Sequence, residues 1–175
     1  MICLLFALQC LAAYGSSAAE SSPPQITIPA PDSVQAQQYL GLKDMEPFPL
    51  SSINSKIVII EFFNALCPHC HANAPIVNKL YKIIQDDAGL RDVKIVGIAV
   101  GSDKPQVDAY RKNFKVPFPL FIDDGFAISA AMGGVDTPTT MVLATIDGKV
   151  YATHVGVIKD FDGFLKELRA IHKKL

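Results

Sequence analysis

Residues Ile57-Val58-Ile59-Ile60-Glu61-Phe62-Phe63 form a continuous apolar run broken by a single acid. A strand with one wet face alternates apolar and polar residues with period two. This run does not alternate, so it is read as a strand buried on both faces, in the interior of a layered α/β structure. Everything else in the chain has to supply that cover.

The order of the following segments supplies it. Ala74 to Ile84 carries Ile76, Val77, Leu80, Tyr81 and Ile84 at helical spacing. Val93 to Val100 is a second buried strand, ended by Gly101. Lys104 to Phe114 is expected as a helix, Pro119 to Ile122 as a short strand and Phe126 to Met132 as a short helix. Thr139 to Ile146 and Lys149 to Val157 are expected as strands joined by Asp147-Gly148, a dipeptide suited to a two-residue hairpin turn. Asp160 to Lys174 is an amphipathic final helix with Phe161, Phe164, Leu165, Leu168 and Ile171 on one face. This order predicts an α/β fold with a mixed central β-sheet flanked by helices. Val34 to Leu50 is ambiguous, with a helical patch near Gln35 to Leu40.

The chain has 175 residues, half of them apolar and 19% charged, which suits one globular domain. Formal net charge is -1 and no long like-charge run occurs. Nucleic acid and anionic membrane surfaces demand a basic footprint, so neither is expected as the main partner. Met1 to Ala19 holds no charged residue, and its apolar stretch Ile2 to Tyr14 is short for a membrane span. Small residues follow, ending in Ser17-Ala18-Ala19. This predicts a signal peptide over residues 1–19, cleaved before Glu20, with retention as an anchor as the alternative. Glu20 to Asp32 is rich in Ser and Pro and is expected as a tether. The domain organisation read from the sequence is therefore signal peptide 1–19, tether and entry segment 20–49, and folded domain 50–175.

Removal of the signal would take Cys3 and Cys10 and leave Cys67 and Cys70. One closely spaced pair is no disulfide scaffold, since it closes almost no loop. Cys67-Pro68-His69-Cys70 sits between the buried strand and the next helix. Cys67 would fall at the helix N-terminus, where unpaired N–H groups stabilise a thiolate. Cys70 would lie one turn inside and less exposed. Such a pair suits thiol–disulfide exchange, with Cys67 as the attacking or attacked sulfur and Cys70 as the resolving one. His69 would add partial positive charge near Cys67, and Pro68 occupies a first-turn position where a missing N–H costs nothing.

With these features in view, the segment from Leu50 to Leu175 resembles the thioredoxin superfamily. Glu61 lies six residues before Cys67, where that family carries a buried acid. Pro75 lies eight residues after Cys67, where it carries a helix-kinking proline. Thr137-Pro138 precedes a strand, where it carries a cis-proline. Gly101 to Phe121 is similar to the strand-and-helix insertion of the TlpA-like and redoxin branch, and Ala65 to Pro75 resembles exported TlpA-like thiol-disulfide oxidoreductases. Leu66 departs from the Trp usual before the first cysteine. The resemblance implies a thioredoxin-like fold and a redox-active Cys67–Cys70 disulfide. It also implies a Glu61 that moves protons for Cys70, and a Thr137 backbone that pairs with an extended substrate beside a cis Pro138. A buried Glu61 would have a raised pKa. The implied protein is an exported, periplasmic monomer without cofactor or metal. Its partners would be protein thiols or disulfides and a membrane thiol-disulfide electron partner. The reductive direction is expected, and a DsbA-like oxidative role, suggested by His69, is the alternative.

Two other chemistries stay open at this level. Cys67-x-x-Cys70-His71 matches the c-type haem attachment pattern, with Met132, Met141 or His154 as the second ligand. Two thiolates with His69, His71 or His154 could instead hold copper or zinc. His154 on its own is expected as a solvent-facing strand residue.

Overall fold

The computed structural model describes residues 26–175. The signal-peptide expectation for residues 1–19 lies outside them. Twelve elements follow in order: β1 (Thr27–Ile28), α1 (Val34–Leu40), β2 (Phe48–Pro49), β3 (Ile57–Phe63), α2 (Pro68–Asp86), β4 (Val93–Val100), α3 (Lys104–Phe114), β5 (Leu120–Asp123), α4 (Ala127–Ala131), β6 (Thr139–Ala144), β7 (Val150–Val155) and α5 (Phe161–Lys174). Among the described residues no helix is long and apolar enough to cross a membrane.

All seven residues of β3 are buried, and the sheet explains why. Its order is β5-β4-β3-β6-β7, so β3 is the central strand. It runs parallel to β4 and antiparallel to β6. Alternation then sends the side chains of Ile57, Ile59 and Phe63 to one face and those of Val58, Ile60 and Phe62 to the other. The first set packs with Val77, Leu80 and Ile84 of α2, with Val107 and Tyr110 of α3, and with Phe164, Leu168 and Ile171 of α5. The second set packs with Leu40 of α1, Phe48 of β2 and Ile128 of α4. A run without alternation is thus a strand with a hydrophobic core on each side.

Local chemistry sets the helix ends. Ser33 caps α1 by accepting from Ala36 N–H at 3.2 Å. Gly41, at φ 69°, closes the helix in the left-handed conformation. A side chain there would strike Asn54, 2.5 Å from the Cβ position, so glycine is required twice over. Asp103 and Gln106 form a reciprocal capping box at α3.

Two sequence expectations are corrected. The tether does not extend to Asp32: Ile26 and Ile28 are buried, and β1 pairs with β2. Residues 26–49 therefore contribute to the second core. Alternate isoleucines among prolines and serines are a two-residue strand, too short to stand out. The hairpin is also not a two-residue turn, because five residues, 145–149, separate β6 from β7. Thr145 turns away from β7: its N–H donates to the Lys56 carbonyl and its hydroxyl to the Ser55 carbonyl. The ladder is bulged at Val142/Leu143, and Gly148 takes φ 69° to bring the chain back.

Candidate active site

Cys67 and Cys70 sit where β3 ends and α2 begins. Cys67 is the N-cap of α2, partly exposed, and Cys70 lies one turn inside it, fully buried. Both are free thiols. The loop that carries them is clamped to the end of β4. The Asn64 side chain donates to the Val100 carbonyl at 2.9 Å and accepts from Leu66 N–H at 2.9 Å. The buried Ser102 hydroxyl accepts from Ala65 N–H at 3.0 Å.

Within this frame the sulfurs receive different partners. Partial burial alone would raise the Cys67 thiol, but hydrogen bonds from the Cys70 backbone, the Cys70 thiol, the His69 backbone and Thr137 outweigh it and hold the pKa below its usual 9.0. This is the N-terminus effect expected from sequence. The contribution of His69 comes through its backbone, while its ring points to an exposed surface. Pro68 occupies the first helical position and is exposed. The Cys67 thiol also lies 3.5 Å from the Thr137 carbonyl, to which it donates. The Thr137–Pro138 peptide is cis, and Pro138 is buried beside the sulfur-bearing loop.

Cys70 experiences the opposite balance. Desolvation pushes its thiol up to about 12, against the Asn64 backbone N–H, which donates to its sulfur at 3.4 Å. At neutral pH Cys67 is therefore the better thiolate, and Cys70 stays protonated.

The sheet also carries a buried acid. Glu61 is 4% exposed and shares the face of β3 that carries α2. Burial pushes its carboxyl up to about 7, against two donors. Asn73 Nδ2 donates to Oε1 at 2.8 Å and Thr140 Oγ1 donates to Oε2 at 2.5 Å. Thr140 is the direct cross-strand neighbour of Glu61 on β6, and Gly97 is its neighbour on β4. Among the described residues, no cation is paired with this acid.

Tyr110 of α3 completes the wall. It stacks on Phe63 at 4.5 Å and donates its hydroxyl to the Cys70 carbonyl at 3.2 Å. Desolvation, with Glu61 and both cysteines nearby, raises its phenol above the usual range.

Glu61, Cys67, Cys70, Thr137 and Pro138 thus gather at one end of β3. Asn73, Thr140, Tyr110, Asn64 and Ser102 were not found by sequence reasoning. Asn73 had a signal: it is a polar residue one turn after Cys70, beside Ala74 and Val77 on the buried face of α2. The haem ligand set does not gather. His71 Nε2 sits 2.8 Å from the Ala65 carbonyl and its ring packs on Phe114. Met132 and Met141 pack in the core on the opposite face of the sheet. His154 is half-buried rather than solvent-facing, 2.7 Å from Glu167 and edge-on to Phe164. Among the described residues no three His, Cys, Asp or Glu side chains converge to hold a metal ion.

The chain is similar to several known proteins. The chain is 29% identical over 113 residues to the thiol-disulfide oxidoreductase ResA of Geobacillus thermodenitrificans, covering 65% of this chain and 62% of that protein. It is 27% identical over 111 residues to ResA of Bacillus subtilis, covering 63% and 59%. In both cases the matched region is less than two thirds of the relative's length. Among solved structures, a thiol:disulfide interchange protein of the thioredoxin family from Chlorobium tepidum superposes with a TM-score of 0.63 at 23% identity, covering 86% of this chain and 95% of that one. StoA from Bacillus subtilis gives 0.61 at 17% identity, covering 83% and 97%. These likenesses establish a thioredoxin-like fold. The family model for redoxins matches residues 23–168, so the chain belongs to the redoxin family, within the thioredoxin superfamily.

Proposed function

We propose that this protein is an exported thiol-disulfide oxidoreductase that exchanges disulfides with protein cysteines through Cys67 and Cys70, in the reducing direction. The observation that carries the reading is the opposed environment of the two sulfurs above a buried acid: Cys67 lowered at a helix N-cap, Cys70 raised in the interior, Glu61 poised at about 7.

The reaction follows from that ordering. The Cys67 thiolate attacks one sulfur of a substrate disulfide, and the other leaves as a thiolate. The Thr137 carbonyl lies beside the sulfur, where an extended substrate backbone could pair with the chain. Glu61, as a carboxylate, takes the proton of Cys70, which then attacks Cys67 and releases the second substrate thiol. Two electrons pass to the substrate and the chain keeps a Cys67–Cys70 disulfide. An external dithiol, in this reading a membrane electron partner, must reduce it again. The ResA relatives support the oxidoreductase class. Export rests on the charge-free, apolar residues 1–19.

One observation favours the reverse direction. A stabilised Cys67 thiolate stabilises the reduced pair, which makes the disulfide a better oxidant. The reduction potential of the couple decides between the two. A value near that of thioredoxin, about -270 mV, supports the reductase; a value near about -120 mV makes the protein a disulfide donor. A sample in which Cys67 and Cys70 form no reversible couple contradicts both.

A further inference from the structure

The Glu61 carboxyl is held by two partners of different kinds. Asn73 is fully buried. Its Oδ1 accepts from the Ile158 backbone N–H at 2.9 Å, and its Nδ2 donates to Glu61 Oε1 at 2.8 Å. A backbone N–H can only donate, so the atom facing Ile158 must be the amide oxygen. The amide therefore cannot flip, and Nδ2 must always donate to Oε1. The second partner, the Thr140 hydroxyl, is a rotor that can donate or accept. It lies 2.5 Å from Oε2.

These two facts make the carboxyl asymmetric. A proton on Oε1 would confront the Asn73 donor. A proton on Oε2 meets the oxygen of Thr140, which turns its own hydrogen away. When Glu61 ionises, Thr140 turns back and donates to Oε2. We propose that Asn73 is a positioning residue that reserves Glu61 Oε1 as an acceptor, so that the carboxyl takes up and gives up its proton at Oε2 with Thr140 as the switching partner. The idea deepens the reading of Glu61 as proton carrier for Cys70 and rests on it for its functional consequence. It also extends beyond the strand: through Ile158, the loop before α5 fixes the proton's address on β3.

The charged and titratable groups around Glu61 are few. Helix α2 contributes Cys67 and Cys70, and α3 contributes Tyr110. Its sheet neighbours are Gly97 from β4 and Thr140 from β6, and the loop before α5 reaches Asn73 through the Ile158 backbone. None of these brings a formal positive charge, so the two hydrogen bonds are the main support of the ionised form.

Infrared titration of the full protein tests this, following the C=O stretch of the protonated Glu61 carboxyl and assigning it by its loss in Glu61→Gln. Asn73→Ala removes a donor that favours the carboxylate. The midpoint should rise by about one pH unit and the band should shift, as both oxygens become open to the proton. Asn73→Asp keeps an acceptor for Ile158 and replaces the donor with a second carboxyl. It should raise the midpoint further, and it provides the test should the alanine variant fold poorly. Thr140→Ser should leave midpoint and band as they are, and Thr140→Val should alter the band. The pH midpoint of disulfide exchange, measured on the same variants, should follow the band. An unchanged midpoint and band in both Asn73 variants overturns the positioning role. A moved band with an unmoved exchange profile upholds the positioning role and removes Glu61 from the exchange reaction.

Discussion

The N-cap of α2 and the turn beneath it carry the same side chain and treat it in opposite ways. Cys67 at the rim is partly exposed and receives hydrogen bonds from the first turn of the helix, so its thiol ionises below the usual value. Cys70, three residues on, is fully enclosed, and its thiol is pushed up to about 12. Sequence distance is not what separates them. The helix presents unpaired N–H groups only at its end, and the core excludes water one turn below. A pair of identical thiols thereby becomes one that ionises readily and one held protonated; in the proposed reaction these are the nucleophile and the reserve, and Glu61 of β3 serves the second.

The largest effect that would break this comparison is on the rim cysteine. Cys67→Ala should abolish exchange, because the buried thiol cannot replace it. An insulin-reduction assay with residual turnover would contradict the assignment. Cys70→Ala should instead preserve the first attack and lose the second, so mixed disulfides through Cys67 accumulate and are visible by non-reducing electrophoresis. Failure to trap any would mean that Cys70 does not resolve.

Glu61→Gln sharpens the comparison from below. With the carboxyl at about 7, the resolving step should accelerate as pH rises through that value. The glutamine variant should lose that rise and run about a hundredfold slower above it. The same residue has a signature in stability. Its pKa is raised in the folded state, from the usual 4.5 to about 7. Its contribution is therefore fully present below 4.5 and lost as pH climbs through about 7. Denaturant unfolding should show the wild type losing about 3 kcal/mol across that window, and Glu61→Gln should flatten this loss. The smallest effect is at the wall. Tyr110→Phe removes one hydrogen bond to the Cys70 carbonyl and should cost about 1 kcal/mol of stability, with exchange largely kept.

Much of this was legible in the residues. The unbroken run 57–63 identified the central strand because a strand covered on both faces has no polar phase. The bounds of β4 and α3 were read correctly because β4 is an apolar run closed by Gly101 and α3 an amphipathic helix capped by Asp103. Cys67 at a helix N-terminus followed from a strand meeting a helix at Pro68. What escaped depended on contacts far apart in the chain. Asn73 and Thr140 meet Glu61 only once α2 crosses β3 and β6 pairs with it. The early end of β6 came from Thr145 finding Ser55 and Lys56, ninety residues away. The pairing of β1 with β2 is likewise tertiary, with no local signal strong enough to mark a two-residue strand.

The central claim is that the two thiols ionise on opposite sides of the ordinary cysteine value, Cys67 below it and Cys70 above it. The direct measurement is the pH dependence of alkylation of the reduced protein, with each modified cysteine identified by mass spectrometry. The account predicts that Cys67 reacts first, with a midpoint below 9, while Cys70 stays protected until far more alkaline pH. Modification of Cys70 first, or a Cys67 midpoint at or above 9, would contradict it.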